Sequence, residues 1–363
     1  MATTPIRKLD CRAYRIPTDA PEADGTIAWD STTMVLVELE AGGQVGVGYT
    51  YDHEAAATVI DTTLRQAVEG RDALDVPGAW REMVRAVRNL GRPGVASTAI
   101  SAVDAALWDL KAKLLDLPLI SLLGAVRDSV PVYGSGGFTS YPPSRLQAQL
   151  GGWADEGLRM VKMKIGTAPS EDLDRVRLAR EAIGPDVALF VDANGAYSRK
   201  QALGFAEAFA ELDVSWFEEP VSSDDLEGLH LIRDRAPAGM DIAAGEYGYD
   251  AVYFRRMLEA QAVDVLQADA SRCLGITGFL KAAALAEAHM IPLSAHCAPS
   301  LHAHLGCALA PVRHLEYFHD HARIETMLFD GALTPQNGTL RPDRSRPGLG
   351  ITFKRAEAAT FAL

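Results

Sequence analysis

Val161-Lys162-Met163-Lys164-Ile165 reads as a short buried strand carrying two lysines where apolar residues are expected. Strand side chains alternate, so Lys162 and Lys164 share one face while Met163 and Ile165 cover the other. Two ammonium groups on one face repel, and a lone pair of this kind fits an exposed strand facing water equally well. The downstream residues decide between the two. Successive apolar runs each close on a polar residue: Asp192, Glu218, Glu246, Asp269, His296 and Glu316, in steps of 20 to 28 residues from Lys164 onward. One strand and one helix occupy about that length. A (β/α)8 barrel gathers the C-terminal ends of its strands around one mouth, where active sites lie. The register therefore predicts two lysines, two aspartates, three glutamates and a histidine around a single pocket.

Asp192, Glu218 and Glu246 come from adjacent strand ends, and three converging carboxylates need a cation. All-oxygen ligation suits Mg²⁺, with Mn²⁺ as a substitute. Glu219, next to Glu218, points the other way along a strand and is expected in a structural salt bridge. Lys164 acts as a base only when unprotonated; Lys162, burial and the metal are expected to lower its pKa. His296 faces the pocket from the far side, and Asp269 on the preceding strand can accept its ring N–H, fixing the tautomer. Glu316, if protonated, can donate a hydrogen bond to an oxyanion.

The rest of the chain supplies the scaffold for these groups. With 363 residues, 48% of them hydrophobic, it is long enough for two domains with a substantial core. A net charge of −13 argues against nucleic acid or an anionic membrane as the main partner. The N-terminus has no apolar signal core, and no run approaches a membrane span, so a cytoplasmic protein is expected. Cys11, Cys273, Cys297 and Cys307 form no CxxC pair and are expected to be free thiols. Residues 5–17 and 33–40 read as strands, with Gly42-Gly43 turning the chain into Val45–Tyr49. Gly43, Gly46 and Gly48 are read as a hairpin signature. Residues 18–30 and 49–53 read as mobile loops. Helices are expected at about 53–69, 77–90 and 97–116; Asp104 and Asp109 lie off the last one's apolar stripe, as surface or cap-like groups. From strand 130–134 onward, strands and helices alternate. This divides the chain into an α+β capping domain (1–127), a barrel (128–325) and a loop-rich tail (326–363) that packs back on the capping domain.

Together, the Lys-x-Lys strand, Asp192-Ala-Asn194, Glu218-Glu219-Pro220, Gly245-Glu246, Gln267-Ala-Asp269, His296 and Glu316 resemble the enolase superfamily in its mandelate racemase branch. The similarity extends into the first domain through Ser101–Lys111. It implies a modified TIM barrel with an N-terminal α+β cap, Mg²⁺ on Asp192, Glu218 and Glu246, and Lys164 and His296 as acid/base groups on opposite substrate faces. It places Lys162 and Glu316 against the substrate carboxylate or enediolate, with Asn194 nearby. The implied chemistry is removal of the proton α to a carboxylate. Sugar-acid dehydration to a 2-keto-3-deoxy acid is the leading expectation. Cycloisomerisation of an anhydro sugar acid, which the stretch Asp269–Lys281 resembles, and racemisation or epimerisation are the alternatives. A non-catalytic sugar-acid-binding protein would not need the full metal, base and Asp–His set. Specificity is expected in 18–30, 49–54 and 134–141, with Trp29, Tyr51 and Ser135 facing the substrate, in a homo-oligomer.

Overall fold

The computed structural model describes residues 3–363. Three antiparallel strands open the chain, β1 (Lys8–Ala23), β2 (Ala28–Ala41) and β3 (Gln44–Tyr51), paired in the order β1-β2-β3. Gly42 and Gly43 form the two-residue turn between β2 and β3, with φ of 57° and 80°, the left-handed pair such a tight hairpin requires. Gly46 and Gly48 have a different task from the turn expected of them. A Cβ on Gly48 would sit 2.2 Å from the Ala102 carbonyl oxygen, and one on Gly46 2.4 Å from that of Ala106. These glycines let β3 lie against the helix Val95–Leu114. That helix is buried on nearly every side, as its Ala-rich sequence allows.

Residues 18–30 are not a mobile loop. β1 and β2 continue to Ala23 and Ala28 as a hairpin, with Glu22 paired to Trp29 beyond an irregularity after Pro17. Likewise Tyr49–Tyr51 belongs to β3, paired with Met34–Leu36 of β2. Asp104 and Asp109 are fully buried rather than on the surface. Asp104 accepts from the Thr277 N–H and Oγ at 2.8 Å each, capping the barrel helix Gly275–Ala288. Asp109 accepts from Val47 N and Leu349 N at 2.7 Å each and pairs with Lys113.

The barrel strands are β4 (Val130–Gly136), β5 (Met160–Lys164), β6 (Ala188–Asp192), β7 (Val214–Glu218), β8 (Asp241–Ala244), β9 (Val265–Ala268), β10 (Leu293–Ala295) and β11 (Val312–Phe318). All neighbours are parallel, and β11 pairs with β4 to close the ring. Helices alternate with the strands, giving a (β/α)8 barrel. Alternation along each strand sends Leu189 and Val191 outward into the helix layer. Tyr133, Phe190, Trp216, Ala243 and Val265 fill the interior below the mouth.

The tail holds β12 (Phe329–Asp330), β13 (Thr339–Leu340) and β14 (Thr352–Phe353). It touches residues of the first domain: Leu119 N donates to Gly348 O at 2.7 Å and Leu363 N to Ala13 O at 3.0 Å. It also reaches the barrel, where β13 pairs antiparallel with β4. The boundary expected after residue 325 falls inside the helix His319–Leu328. Among the described residues no helix is long and apolar enough to cross a membrane, and all four cysteines are free.

Candidate active site

Strand pairing delivers the site. Lys164 lies opposite Asp192, and Asp192 opposite Glu218, at the C-terminal ends of β5, β6 and β7. The chain turns away from these ends through strained backbone. Asn194, Glu219, Cys297 and Ala298 all have positive φ, between 39° and 53°. Non-glycine residues in this region cluster at functional sites because surrounding contacts must hold them there. Gly245 precedes Glu246 with φ 139°, and a Cβ there would lie 2.0 Å from Gln267 O; only glycine lets β8 turn so close to β9.

Asp192, Glu218 and Glu246 bring ligand oxygens within 4.8 Å of one another. Lys162 Nζ lies beneath them, 2.6 Å from Glu218, 2.9 Å from Glu316 and 3.2 Å from Asp192. Burial pushes the Glu218 carboxyl up to about 8, aided by Asp192 and opposed by Lys162. Burial also acts to raise Asp192, but Lys164 and Lys162 outweigh it and hold it at about 2. Glu246 Oε2 is buried with no hydrogen-bond partner among the described residues. Crowded carboxylate oxygens with an orphaned lone pair fit a hard divalent cation taking oxygen ligands. Glu219 makes no salt bridge among the described residues. It is buried with its Oε1 unpartnered, and burial with the Glu246 and Asp192 charges pushes its carboxyl well up. The expected structural ion pair is thus replaced by a fourth carboxyl crowded behind the cluster.

The two base candidates face one cavity of about 410 Å³. Lys164 Nζ pairs directly with Asp192. Burial and Lys162 act to lower its pKa, but Asp192, then Glu246 and Glu316, outweigh them and the net shift is upward. The expected lowering is therefore reversed among the protein's own charges. His296 Nδ1 lies 2.8 Å from Asp269 Oδ2. Asp269 Oδ1 accepts from the Ser271 N–H and hydroxyl at 2.7 Å each. Burial acts to raise Asp269, but the His296 imidazole, then His302 and Arg272, outweigh it and hold its carboxyl well below the usual range. His296 Nε2 points toward Glu246 Oε2 at 3.5 Å and Glu316 Oε2 at 3.7 Å.

Glu316 differs from its expected protonated form. Burial would raise its pKa, but Lys162, His296, Lys164 and the Ser135 hydroxyl at 2.6 Å together keep it ionised. It accepts instead, including from Cys297 N at 3.0 Å. Ser135 and Lys162 are fully buried and lie behind the cavity wall rather than on it. Both contact carboxylates of the site, Ser135 that of Glu316 and Lys162 those of Glu218, Glu316 and Asp192. Asn194, Trp29 and Tyr51 do line the cavity. Asn194 N donates to Asp192 Oδ1 at 2.9 Å, Trp29 Nε1 donates to Glu22 at 2.8 Å, and Tyr51 stacks on His321.

Arg272, Cys297, Tyr247 and His321 also line the cavity, and sequence reasoning misses all four. Arg272 and Cys297 sit three and one residues from Asp269 and His296, a turn that returns to the mouth. His321 carries no signal, since it reaches the cavity from the helix after β11.

Comparison with known proteins agrees with this geometry. Residues 145–358 match the enolase C-terminal domain-like family, and residues 14–124 the mandelate racemase / muconate lactonizing enzyme N-terminal domain. A 3,6-anhydro-alpha-L-galactonate cycloisomerase of Streptomyces coelicolor is 35% identical over 96% of this chain and 98% of its own length. The L-talarate/galactarate dehydratase of Salmonella typhimurium is 33% identical over 88% of this chain and 80% of its own. Among solved structures, a mandelate racemase/muconate lactonizing enzyme-like protein from Rubrobacter xylanophilus superposes with a TM-score of 0.97 at 56% identity, covering 99% of each chain. A racemase from Streptomyces coelicolor with bound magnesium gives 0.91 at 34%, covering 99% and 100%. Fold, matched domains and relatives agree: the chain is an enzyme of the mandelate racemase / muconate lactonizing enzyme family of the enolase superfamily.

Proposed function

We propose that this enzyme is Mg²⁺-dependent, removes the proton α to the carboxylate of a sugar acid and expels the C3 hydroxyl, yielding a 2-keto-3-deoxy acid. The observation that carries the reading is the meeting of Lys164 and the His296–Asp269 pair over the Asp192–Glu218–Glu246 cluster in one cavity. Those three carboxylates would hold the cation, which when bound supplies positive charge to a developing enediolate. Structures of related proteins with bound magnesium support that choice.

Lys164 is kept protonated chiefly by Asp192. Once Asp192 serves as a ligand, that support weakens, and burial beside Lys162 favours the neutral amine needed to take the α-proton at Nζ. His296 then delivers a proton from Nε2 to the departing C3 oxygen, while Asp269 stabilises the imidazolium at Nδ1. Hydroxide is a poor leaving group without that proton. Glu316, ionised and held by Lys162 and Ser135, places a negative charge 3.7 Å from His296 Nε2, which favours the protonated ring.

A second reading shares the first step but expels a ring ether oxygen from C3. The cycloisomerase relative, aligned over 96% of this chain, favours it. Product mass separates them. The proposed dehydration removes one water from an aldonic or aldaric acid. Ring opening of a 3,6-anhydro acid leaves the mass unchanged while a 2-keto group forms. Finding neither 2-keto product across both panels would sink both readings.

A further inference from the structure

The turn after β10 gathers a second set of ligand atoms, separate from the three-carboxylate cluster. Consecutive residues leaving a strand normally point to opposite sides. Here Cys297 and Ala298 take left-handed backbone, φ 53° and 39°, before the helix Pro299–Ala308 begins. With that turn, Cys297 Sγ comes back to 3.2 Å from His296 Nε2. Two bonds hold the strained backbone. His302 Nδ1 donates to Cys297 O at 2.8 Å, and Cys297 N donates to Glu316 Oε2 at 3.0 Å. Non-glycine residues stay in such backbone only where surrounding contacts over-determine it.

The result is a nitrogen, a sulfur and an oxygen facing one another. Cys297 Sγ lies 3.4 Å from Glu316 Oε2, and that oxygen lies 3.7 Å from His296 Nε2. Bonds to zinc of about 2.0–2.3 Å at tetrahedral angles separate neighbouring donors by roughly 3.3–3.6 Å. The three edges here, at 3.2, 3.4 and 3.7 Å, bracket that range.

The remaining atoms of the same side chains are occupied elsewhere. His296 Nδ1 lies 2.8 Å from Asp269 Oδ2. A carboxylate thus fixes the ring with Nε2 toward the other donors, as it does for histidines that ligate zinc. Glu316 Oε1 is taken by Lys162 at 2.9 Å and Ser135 at 2.6 Å, which leaves Oε2 for the triangle. None of the three residues belongs to the Asp192–Glu218–Glu246 cluster. A thiolate with an imidazole also suits a softer ion than Mg²⁺. His296 and Cys297 line the cavity, so an ion reaches them by the substrate's own route.

We infer that His296, Cys297 and Glu316 form a site for a thiophilic divalent ion of the zinc class, and that its occupation silences the enzyme. As the sulfur–metal bond forms, the thiol proton leaves to solvent, and the ion replaces any proton on Nε2. The silencing rests on the reading of His296 as the acid, because the ion takes the nitrogen that delivers the proton. The site itself does not depend on that reading.

The test titrates Co²⁺, a spectroscopic substitute for zinc, into the Mg²⁺-saturated full chain. A thiolate-to-cobalt charge-transfer band should rise to one ion per chain and be bleached by Zn²⁺. An ion held by the three carboxylates alone gives no such band. Cys297→Ser should abolish it, and Cys11→Ser, which removes a half-buried thiol elsewhere, should keep it. His296→Asn, with the thiol retained, should weaken Co²⁺ binding about 100-fold. No band, a band that survives Cys297→Ser, or undiminished binding in His296→Asn would overturn the site. A band seen only after Mg²⁺ is stripped would overturn its independence of the carboxylate cluster. With a sugar acid that the enzyme turns over and Mg²⁺ in excess, saturating Zn²⁺ should cut product formation about 100-fold. Cys297→Ser, compared with its own zinc-free rate, should lose that sensitivity. A band with undiminished turnover would keep the site and overturn its silencing role, together with the acid role of His296.

Discussion

Lys164 and His296 reach the cavity from the second and seventh strands of the barrel, and their surroundings make them chemically unequal. Lys164 answers to Asp192, a metal-ligand candidate, whereas His296 answers to Asp269, which is bonded by Ser271 and near His302. In the proposed mechanism the base role therefore follows the metal-ligand candidates, and the acid role follows the dyad. Each such group contributes ~10²–10⁴ in rate, so either Lys164→Ala or His296→Asn should be severe for turnover. Exchange of the substrate α-proton in D₂O tells them apart. His296→Asn should still exchange through Lys164 while forming little product, and Lys164→Ala should do neither. The opposite pattern reverses the roles, and near-normal turnover in both variants removes the opposed-base mechanism. The residue types at these positions are legible in the sequence, but their ionisation is not. The adjacent lysine predicts a lowered Lys164 pKa, and the folded charges raise it; Glu316 reads as a proton donor, and it is ionised. Net charge at a buried group is set by partners from four or five different strands, and no local window contains them.

At the level of elements, helices and barrel strands fall close to their expected places, because a period of 3.6 or 2 over a buried run is a local property. The misread segments are those whose neighbours are remote. Residues 18–30 are polar enough for a loop, yet they pair as a hairpin because its tip docks on Ala193 and Thr139. Gly46 and Gly48 mimic turn residues, but they are needed by a helix some fifty residues away. Gly48→Ala tests this reading. Its methyl would meet backbone atoms of Ala102 and Ala106 at 2.2 and 2.3 Å, so the sheet and helix must separate. Overpacking of this kind costs roughly 1–3 kcal/mol. The urea midpoint should fall accordingly, whereas Gly43→Asn, at an open left-handed turn position, should change it little. Equal stability of Gly48→Ala and wild type would show that the sheet–helix contact is looser than described.

For the whole molecule, the cluster at Asp192, Glu218 and Glu246 ties three consecutive strands at the mouth of a closed ring. A divalent ion bound only by the folded state stabilises it by mass action, about 2.7 kcal/mol at a concentration 100 times its Kd. Adding Mg²⁺ to chelator-treated protein should therefore raise the thermal midpoint and restore activity together. In Glu246→Gln both effects should be sharply reduced. A midpoint indifferent to Mg²⁺ over a wide concentration range would place the cation elsewhere. The cap is bound into the same unit: Thr50 Oγ donates to Ser271 O at 2.6 Å, Ser97 Oγ to Arg272 O at 2.5 Å, and Trp80 Nε1 to Leu274 O at 2.8 Å. These bonds fall on the loop that carries Asp269 and Arg272, so cap docking and dyad geometry are set together.

The barrel, its cap and the polar residues at successive strand ends are written in the chain's own order, because one strand and one helix recur with the same inward-facing register each time. Which of those residues touch the cavity depends on how remote segments meet. Folding withdraws Ser135 and Lys162 behind the wall and brings Arg272, Cys297, Tyr247 and His321 onto it. Ring closure and hairpin docking join segments up to some three hundred residues apart, and the charge a pocket presents is the sum over those segments rather than a property of any one.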